Sequence, residues 1–440
     1  MSPDEALTYW YSRADYERSA IKPGDLKLDR MQELLHRLSN PHDKLRIIHI
    51  AGSKGKGSTA AMFAAVGQAA GLRCGLFTSP HLVDVSERIQ INGHTISREA
   101  IAELMTEIRP HADEMERSGE APTFFEIGTA VGFLHFARQG VELAVVEVGL
   151  GGRFDSTNVC TPILSVITSI SYEHTAILGN TLAQIAFEKA GIIKPGVPVI
   201  SGATEPEAQT TIEAIARERG SPLLQLGRDF QVSYKPGRIA SDGDCTPAEV
   251  TAKIGQENSG PHKLGLLGAH QAANASLVIV GARQLGIADA EVARGLADVR
   301  WPARLEVFPG SPVVVLDCAH NVASFESLVE SLAESFAFSH RTLVWALSSD
   351  KDLHGIAALI ANSFQRFVVT RYRDNPRSVP PPHLAEAIRS ARENAEVTWF
   401  DDPTEALAAA CSDPATLVVV AGSVFLAGNL RPSLVQRSSR

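Results

Sequence analysis

Apolar positions along the chain come in short runs. Residues 45–52 (LRIIHIAG), 74–79 (CGLFTS), 142–149 (ELAVVEVG), 163–170 (ILSVITSI) and 197–202 (VPVISG) are nearly continuous in apolar, often β-branched residues, and each closes on a turn. Runs of this length predict strands buried on both faces. Between them the apolar spacing shifts to the helical period, in STAAMFAAVGQAAG, REAIAELMTEIRPHADEM and TFFEIGTAVGFLHFARQ. The alternation predicts βαβ units in a mainly parallel sheet. Residues 229–263, rich in Gly, Ser, Asp and Pro, break the rhythm and read as an irregular or hairpin-rich excursion. After a helical stretch, AHQAANASLVIVGARQLG, a second strand series runs VVVLDCAH, RTLVWALSS, FQRFVVT, AEVTWF and ATLVVVAGSVF. Its start places a boundary at residues 299–302 and predicts two α/β domains, residues 1–299 and 300–440.

Composition narrows the function classes. At 44% hydrophobic and 21% charged residues, the chain is neither a disordered tail nor a fibre, and its 440 residues suit two domains. No apolar run approaches the ~20 residues that cross a bilayer. The 41 Lys and Arg against 50 Asp and Glu leave a net charge of -9, a field that repels nucleic acid and anionic lipid. An anionic ligand must therefore be held by a local device. Cys74, Cys160, Cys245, Cys318 and Cys411 are scattered and show no CxxC spacing, which argues against a disulfide framework and a thiolate zinc site. The first residues, MSPDEALTYWYSRADYER, carry acids where a secretory signal carries bases. The expectation is a cytoplasmic protein.

The local device is legible in residues 49–59, HIAGSKGKGST, where a predicted strand meets a predicted helix. Gly52, Gly55 and Gly57 let the backbone turn its N–H groups inward, Lys56 adds a point charge, and the helix start adds its dipole. A polyphosphate fits, with the Ser58 or Thr59 hydroxyl in reach of its magnesium. The pattern is a variant of the Walker motif, with Ile50 where the first Gly stands and Gly57 before the hydroxyl residue. Read without a ligand, it is a glycine-rich turn with a surface lysine. The fold class expected is α/β, with an N-terminal P-loop-type, mainly parallel sheet flanked by helices and a smaller C-terminal Rossmann-like domain.

Three more predicted strands end in polar residues. Ser79 and His81 follow one, Glu147 lies in another, and Glu173 and His174 follow a third. Strand ends of a parallel sheet line one crevice, so these groups can converge, and oxygen donors with one imidazole suit Mg2+. Glu147 in an apolar strand needs a partner, either a cation or an arginine. His174 equally reads as a core or capping residue and Ser79 as a turn residue. Lys189, near a predicted helix end, reads as a base favoured by the helix dipole.

Taken in order, DLKLDRMQELLHRLSNP, the cradle, FTSPHL, ERIQING, EVGLGGRFDSTN, EKAGIIKPG, LGAHQAANA, RWPARLEV, LDCAHN, SSDKD and AGSVFLAG resemble the folylpolyglutamate synthase/dihydrofolate synthase family, a branch of the Mur-type ATP-dependent amide ligases. The resemblance implies an enzyme that phosphorylates a pteroate or folate carboxylate with ATP. The amine of L-glutamate then attacks the acyl phosphate. It also implies that Gly55, Lys56, Gly57 and Ser58 form the ATP loop and that Ser79, Glu147 and His174 hold Mg2+, one of two such ions. Lys189 corresponds to a lysine that CO2 converts to a carbamate. Asn274 meets the nucleotide base, Arg304 the phosphates and Asp317 the nucleotide from the second domain, with His320 close by and counted among the catalytic residues. Thr123, Phe124, Phe125 and Glu126, with Phe154, Asp155 and Ser156, correspond to stretches that contact dihydropteroate; two aromatics at a helix start equally read as core.

The chain departs from the family pattern at Ser53 and Lys54, usually Thr-Asn, at Glu173, usually Asp, at Cys318, usually a smaller residue, and at Val322, often Pro. The implied partners are small molecules alone, with no nucleic acid and no membrane, acting on a monomer. Nucleotide contacts from both sides of residue 300 imply that the halves close on ATP. Competing readings are a Mur-type ligase for a cell-wall precursor, a P-loop NTPase without ligase activity, and a nucleotide binder that has lost catalysis.

Overall fold

The computed structural model describes residues 1–15, 27–240, 245–373 and 375–438. Asp25 and Leu26, which open the first family segment, and residues 241–244 of the excursion lie outside the described residues.

The first strand series forms β1 (Ile47–Ala51), β2 (Cys74–Phe77), β3 (Ile89–Ile91), β4 (His94–Thr95), β5 (Leu143–Glu147), β6 (Leu164–Ile167), β7 (Val199–Ser201) and β8 (Leu223–Gln225). They make one sheet in the order β4-β3-β2-β5-β1-β6-β7-β8. Pairing is parallel from β2 through β8, and only β3 and β4 run antiparallel at one edge. The central strand β1 is buried at every residue, which explains its unbroken apolar run. Its one polar residue, His49, is fully buried. Helices Lys56–Ala69, Arg98–Arg117 and Phe124–Arg138 occupy the stretches where the apolar spacing turned helical.

The excursion folds into β9 (Phe230–Lys235), β10 (Arg238–Ala240), β11 (Cys245–Thr246), β12 (Ala248–Ile254) and β13 (Glu257–Leu264). It is therefore built of short strands, with an antiparallel β10/β11 pair. The second series gives β14 (Glu306–Phe308), β15 (Val313–Leu316), β16 (Phe336–Ala337), β17 (Arg341–Trp345), β18 (Arg366–Val369), β19 (Glu396–Trp399) and β20 (Leu417–Ala421). Six of these form a sheet ordered β14-β15-β20-β17-β18-β19, parallel except at β14.

The chain forms two compact units: Met1–Ser233 with Val250–His262 and Ala273–Val299, and Arg300–Arg440 with Tyr234–Glu249 and Lys263–Ala272. Two short segments N-terminal to residue 300 thus belong to the second unit. Each unit has its own apolar core, around Trp10, Phe124 and Phe133 and around Ile167, Ile185 and Ile212 in the first, and around Phe325, Trp345 and Phe367 in the second. No helix among the described residues is long and apolar enough to cross a membrane.

Candidate active site

Strands β1 and β6 lie side by side, yet the chain leaves β1 toward β2 and leaves β6 toward β7, on opposite sides. Such a reversal opens a crevice at the carboxyl ends of the strands. The two loops that leave it are laced together. Ser53 N–H donates to Ser169 O at 2.7 Å, Ser53 Oγ donates to Ser171 O at 3.0 Å, and Thr168 Oγ1 donates to Lys54 O at 2.7 Å. The close approach demands glycine at two points. At Gly52 (φ 147°) a Cβ would lie 1.8 Å from Thr168 Oγ1, and at Gly55 (φ 87°) one would lie 2.3 Å from Asn274 Oδ1. Asn274 therefore sits directly against the cradle.

Lys56 opens helix Lys56–Ala69, and Gly57 lies in its first turn, where backbone N–H groups have no intrahelical partner. Lys56 Nζ donates to Gly52 O at 3.0 Å, folding the cation back over the loop. Ser58 is buried, and Thr59 carries a buried hydroxyl without a hydrogen-bond partner. Helix-start amides and a lysine gathered on one half-buried loop are groups that can receive an anion with several oxygens.

Lys189 reaches the same loop. It ends helix Leu182–Ala190, but its side chain is buried at 1% exposure instead of lying on the surface as a dipole-favoured base. Its Nζ donates to Gly52 O at 2.9 Å and to Glu173 Oε1 at 2.6 Å. Burial, and behind it the Lys56 charge, pull the Lys189 pKa down to about 8, against the opposing effect of Glu173. Glu173, grouped in the sequence with the strand-end oxygen donors beside His174, is thus the counter-charge of this lysine. His174 is exposed, with φ 44°, and precedes the short helix Thr175–Leu178.

At the end of β5, buried Glu147 accepts the Ser79 N–H at 3.2 Å, which draws the loop after β2 onto the carboxylate. His81 Nδ1 meets Arg88 Nε at 2.9 Å. The Ser79 hydroxyl and the Glu147 carboxylate are hard oxygen donors of the kind Mg2+ takes together with phosphate and water.

The loop after β5 is organised by Asp155. One carboxylate oxygen accepts Gly149 N–H (3.0 Å) and Leu150 N–H (2.9 Å), and the other accepts Thr157 N–H (2.9 Å) and the Thr157 hydroxyl. Burial nevertheless pushes the Asp155 pKa up. Ser156 Oγ bonds Thr129 Oγ1 at 3.1 Å. Thr123 and Glu126 cap helix Phe124–Arg138 reciprocally, and Glu126 also pairs with Arg30 at 3.1 Å. Phe124 is a core residue stacked on Trp10 at 5.5 Å, while Phe125 lies over Gly149. Of the segments matched to pterin contacts, Phe154 is the side chain left outward, at 40% exposure. Arg153 lies between its ring (4.2 Å) and that of Phe187 (5.1 Å) and is held by Glu188 at 2.7 Å. The sequence offered only the neighbouring Lys189 as a signal for Glu188, and none for the Ser53–Ser171 lacing.

In the second unit, Arg304 stands between two non-glycine residues in the left-handed region, Ala303 (φ 52°) and Leu305 (φ 45°). Each costs roughly 1–2 kcal/mol and persists only where its surroundings enforce it. Glu306 Oε2 accepts Ala303 N–H at 2.9 Å, and Asp317 accepts Leu305 N–H at 2.9 Å and Ala319 N–H at 2.7 Å. Arg431 in turn holds Glu306 at 2.8 Å. His320 Nδ1 meets Cys318 O at 2.8 Å, on the same turn as Asp317. Both carboxylate oxygens of Asp317 are thus engaged in presenting Arg304 and this turn.

Residues 50–282 match the Mur ligase middle domain and residues 303–424 the Mur ligase glutamate ligase domain. The chain is 36% identical to the dihydrofolate synthase/folylpolyglutamate synthase of Bacillus subtilis, over 94% of this chain and 95% of that protein. Mycobacterium tuberculosis folylpolyglutamate synthase, solved with ADP and AMPPCP, superposes with a TM-score of 0.86 at 31% identity, covering 98% of this chain and 99% of that one. Escherichia coli FolC, solved with DHPP and ADP, does so with a TM-score of 0.84 at 26% identity, covering 99% and 98%. A likeness that runs through both units and nearly end to end in each relative makes this chain a member of the folylpolyglutamate synthase/dihydrofolate synthase family of Mur ligases.

Proposed function

We propose that the chain is an ATP-dependent ligase that joins L-glutamate through an amide bond to dihydropteroate, to tetrahydrofolate, or to both. The observation that carries the reading is the laced cradle at the β1/β6 reversal, with Lys56 and Lys189 both donating to Gly52 O. A carboxylate is a poor electrophile because oxide is a poor leaving group. Transfer of the ATP γ-phosphoryl to it gives an acyl phosphate, from which the glutamate amine displaces phosphate, leaving ADP, phosphate and amide. The protein's share is positioning and charge neutralisation.

In this reading the amides and side chains of Gly55, Lys56, Gly57 and Ser58 hold the phosphates, and Asn274, Arg304 and Asp317 are further nucleotide-side residues, with His320 beside them. Ser79, Glu147 and His174 are the residues that would hold Mg2+, which when bound neutralises phosphate charge. The lowered pKa of Lys189 supports its modification. A neutral amine attacks CO2, releases one proton and becomes an anionic carbamate. On the pterin side, the exposed Phe154 offers a ring face, while Thr123, Phe124, Phe125, Glu126, Asp155 and Ser156 hold the surface that presents it. The enzyme works as a monomer in the cytoplasm.

The test supplies ATP, Mg2+ and glutamate with dihydropteroate or tetrahydrofolate in turn and weighs the products. A mass gain of one or more glutamyl units, with phosphate released only when both pterin and glutamate are present, is expected. Phosphate release without either acceptor would replace the ligase by an NTPase.

A further inference from the structure

His49 lies in the middle of β1, at 0% exposure, between Val146 of β5 and Ser165 of β6. An imidazole in such a place costs free energy unless its ring nitrogens are satisfied. Both are. Nε2 is 2.8 Å from Thr157 Oγ1, and Nδ1 is 3.9 Å from Cys160 Sγ.

The proton positions follow from the neighbours. The Thr157 hydroxyl has one hydrogen, and it goes to Asp155 Oδ1. Nε2 must therefore carry the ring proton and donate it to Thr157 Oγ1, which leaves Nδ1 as the acceptor of the Cys160 S–H. Burial keeps the thiol protonated, with a pKa near 12, and burial together with the Lys194 charge keeps the ring neutral, with a pKa near 3. With Asp155 accepting from Thr157, this is the tautomer that the hydrogen bonds select. The chain Cys160, His49, Thr157, Asp155 ends on the N–H groups of Gly149 and Leu150.

We infer that His49 is a positioning residue: through Thr157 and Asp155 it ties the strand that leads into the phosphate cradle to the loop of residues 149–157, which carries Phe154 and Ser156. For its effect on substrate, this inference rests on the proposed pterin side of the site. The relay holds the start and the end of this loop, while Arg153 and Ser156 between them are held separately by Glu188 and Thr129. A loop shifted by loss of the relay misplaces the acceptor and leaves the nucleotide loop, laced independently to Ser169 and Ser171, where it was.

The experiment compares the full chain with His49→Leu, His49→Gln, Thr157→Val and Thr157→Ser. Amide hydrogen exchange over residues 149–157 and steady-state constants for dihydropteroate and ATP are measured. His49→Leu and Thr157→Val are expected to speed exchange in the loop and to raise KM for dihydropteroate about ten-fold, with KM for ATP unchanged. His49→Gln and Thr157→Ser, which keep a donor and a hydroxyl, restore both readouts. The inference is overturned if His49→Leu matches the wild type in exchange, if both KM values rise together, or if Gln is as damaging as Leu. Should His49→Leu not fold, the Thr157→Val and Thr157→Ser pair decides on the same criteria. A wild-type protein that turns over neither pterin removes the functional reading, and loop exchange alone then decides the relay.

Discussion

Lys189 shows how one residue changes meaning when its surroundings are known. At the end of a helix it reads as a dipole-favoured cation; in the fold it is buried against Gly52 and Glu173, with its pKa lowered from 10.5 to about 8. Between those two values the unfolded chain holds more protons than the folded one, so stability contributed by this group rises with pH across that window. Below pH 8 both states are protonated and the cost is constant. Urea unfolding from pH 7.5 to 10 should therefore show the wild type gaining about 1–3 kcal/mol relative to Lys189→Met. Parallel curves for the two proteins would refute the buried amine. The family resemblance marked this position for special chemistry, but burial and counter-charge are not written in the spacing of FEKAGIIKPG.

At the scale of elements, the apolar runs and their helical intervals were legible because a strand buried on both faces must be apolar throughout. Residues 45–52 became β1 (Ile47–Ala51), and residues 341–349 became β17 (Arg341–Trp345). The short edge strands β3 and β4 carry no such signal, since their pattern is half solvated. Helix Phe124–Arg138 starts on a capping box that doubles as an ion-pair anchor, with Arg30 and Glu126 side chains at 11% and 5% exposure. Removing the carboxylate leaves a desolvated guanidinium beside an apolar core, so Glu126→Leu should cost about 3–5 kcal/mol, measured by urea denaturation. The Arg30→Met/Glu126→Leu double variant should recover most of that loss. A loss under 1 kcal/mol in the single variant would show that the pair is solvated.

For the whole molecule, each unit owns a core, so a change confined to one should leave the other folded. Arg304→Ala in the second unit is expected to lower kcat/KM for ATP at least about ten-fold with the unit still folded, because Glu306 and Asp317 accept the N–H groups of the left-handed turn, to which the guanidinium adds a bond to Ala303 O. Unaltered ATP kinetics would remove Arg304 from the nucleotide-side set. With a net charge of -9, the proposed nucleotide site depends on local groups and not on the field of the whole chain. By itself the sequence determined the alternation of strand and helix and carried the glycine-rich turn with its lysine, since burial period, turn chemistry and glycine spacing are local properties. Only the tertiary structure decided that Ser53 is laced to Ser169 and Ser171, that Lys189 faces Glu173, and that His49 reaches Thr157. Those contacts join residues far apart in the chain, and their energies depend on burial and distance, which no single stretch of sequence contains.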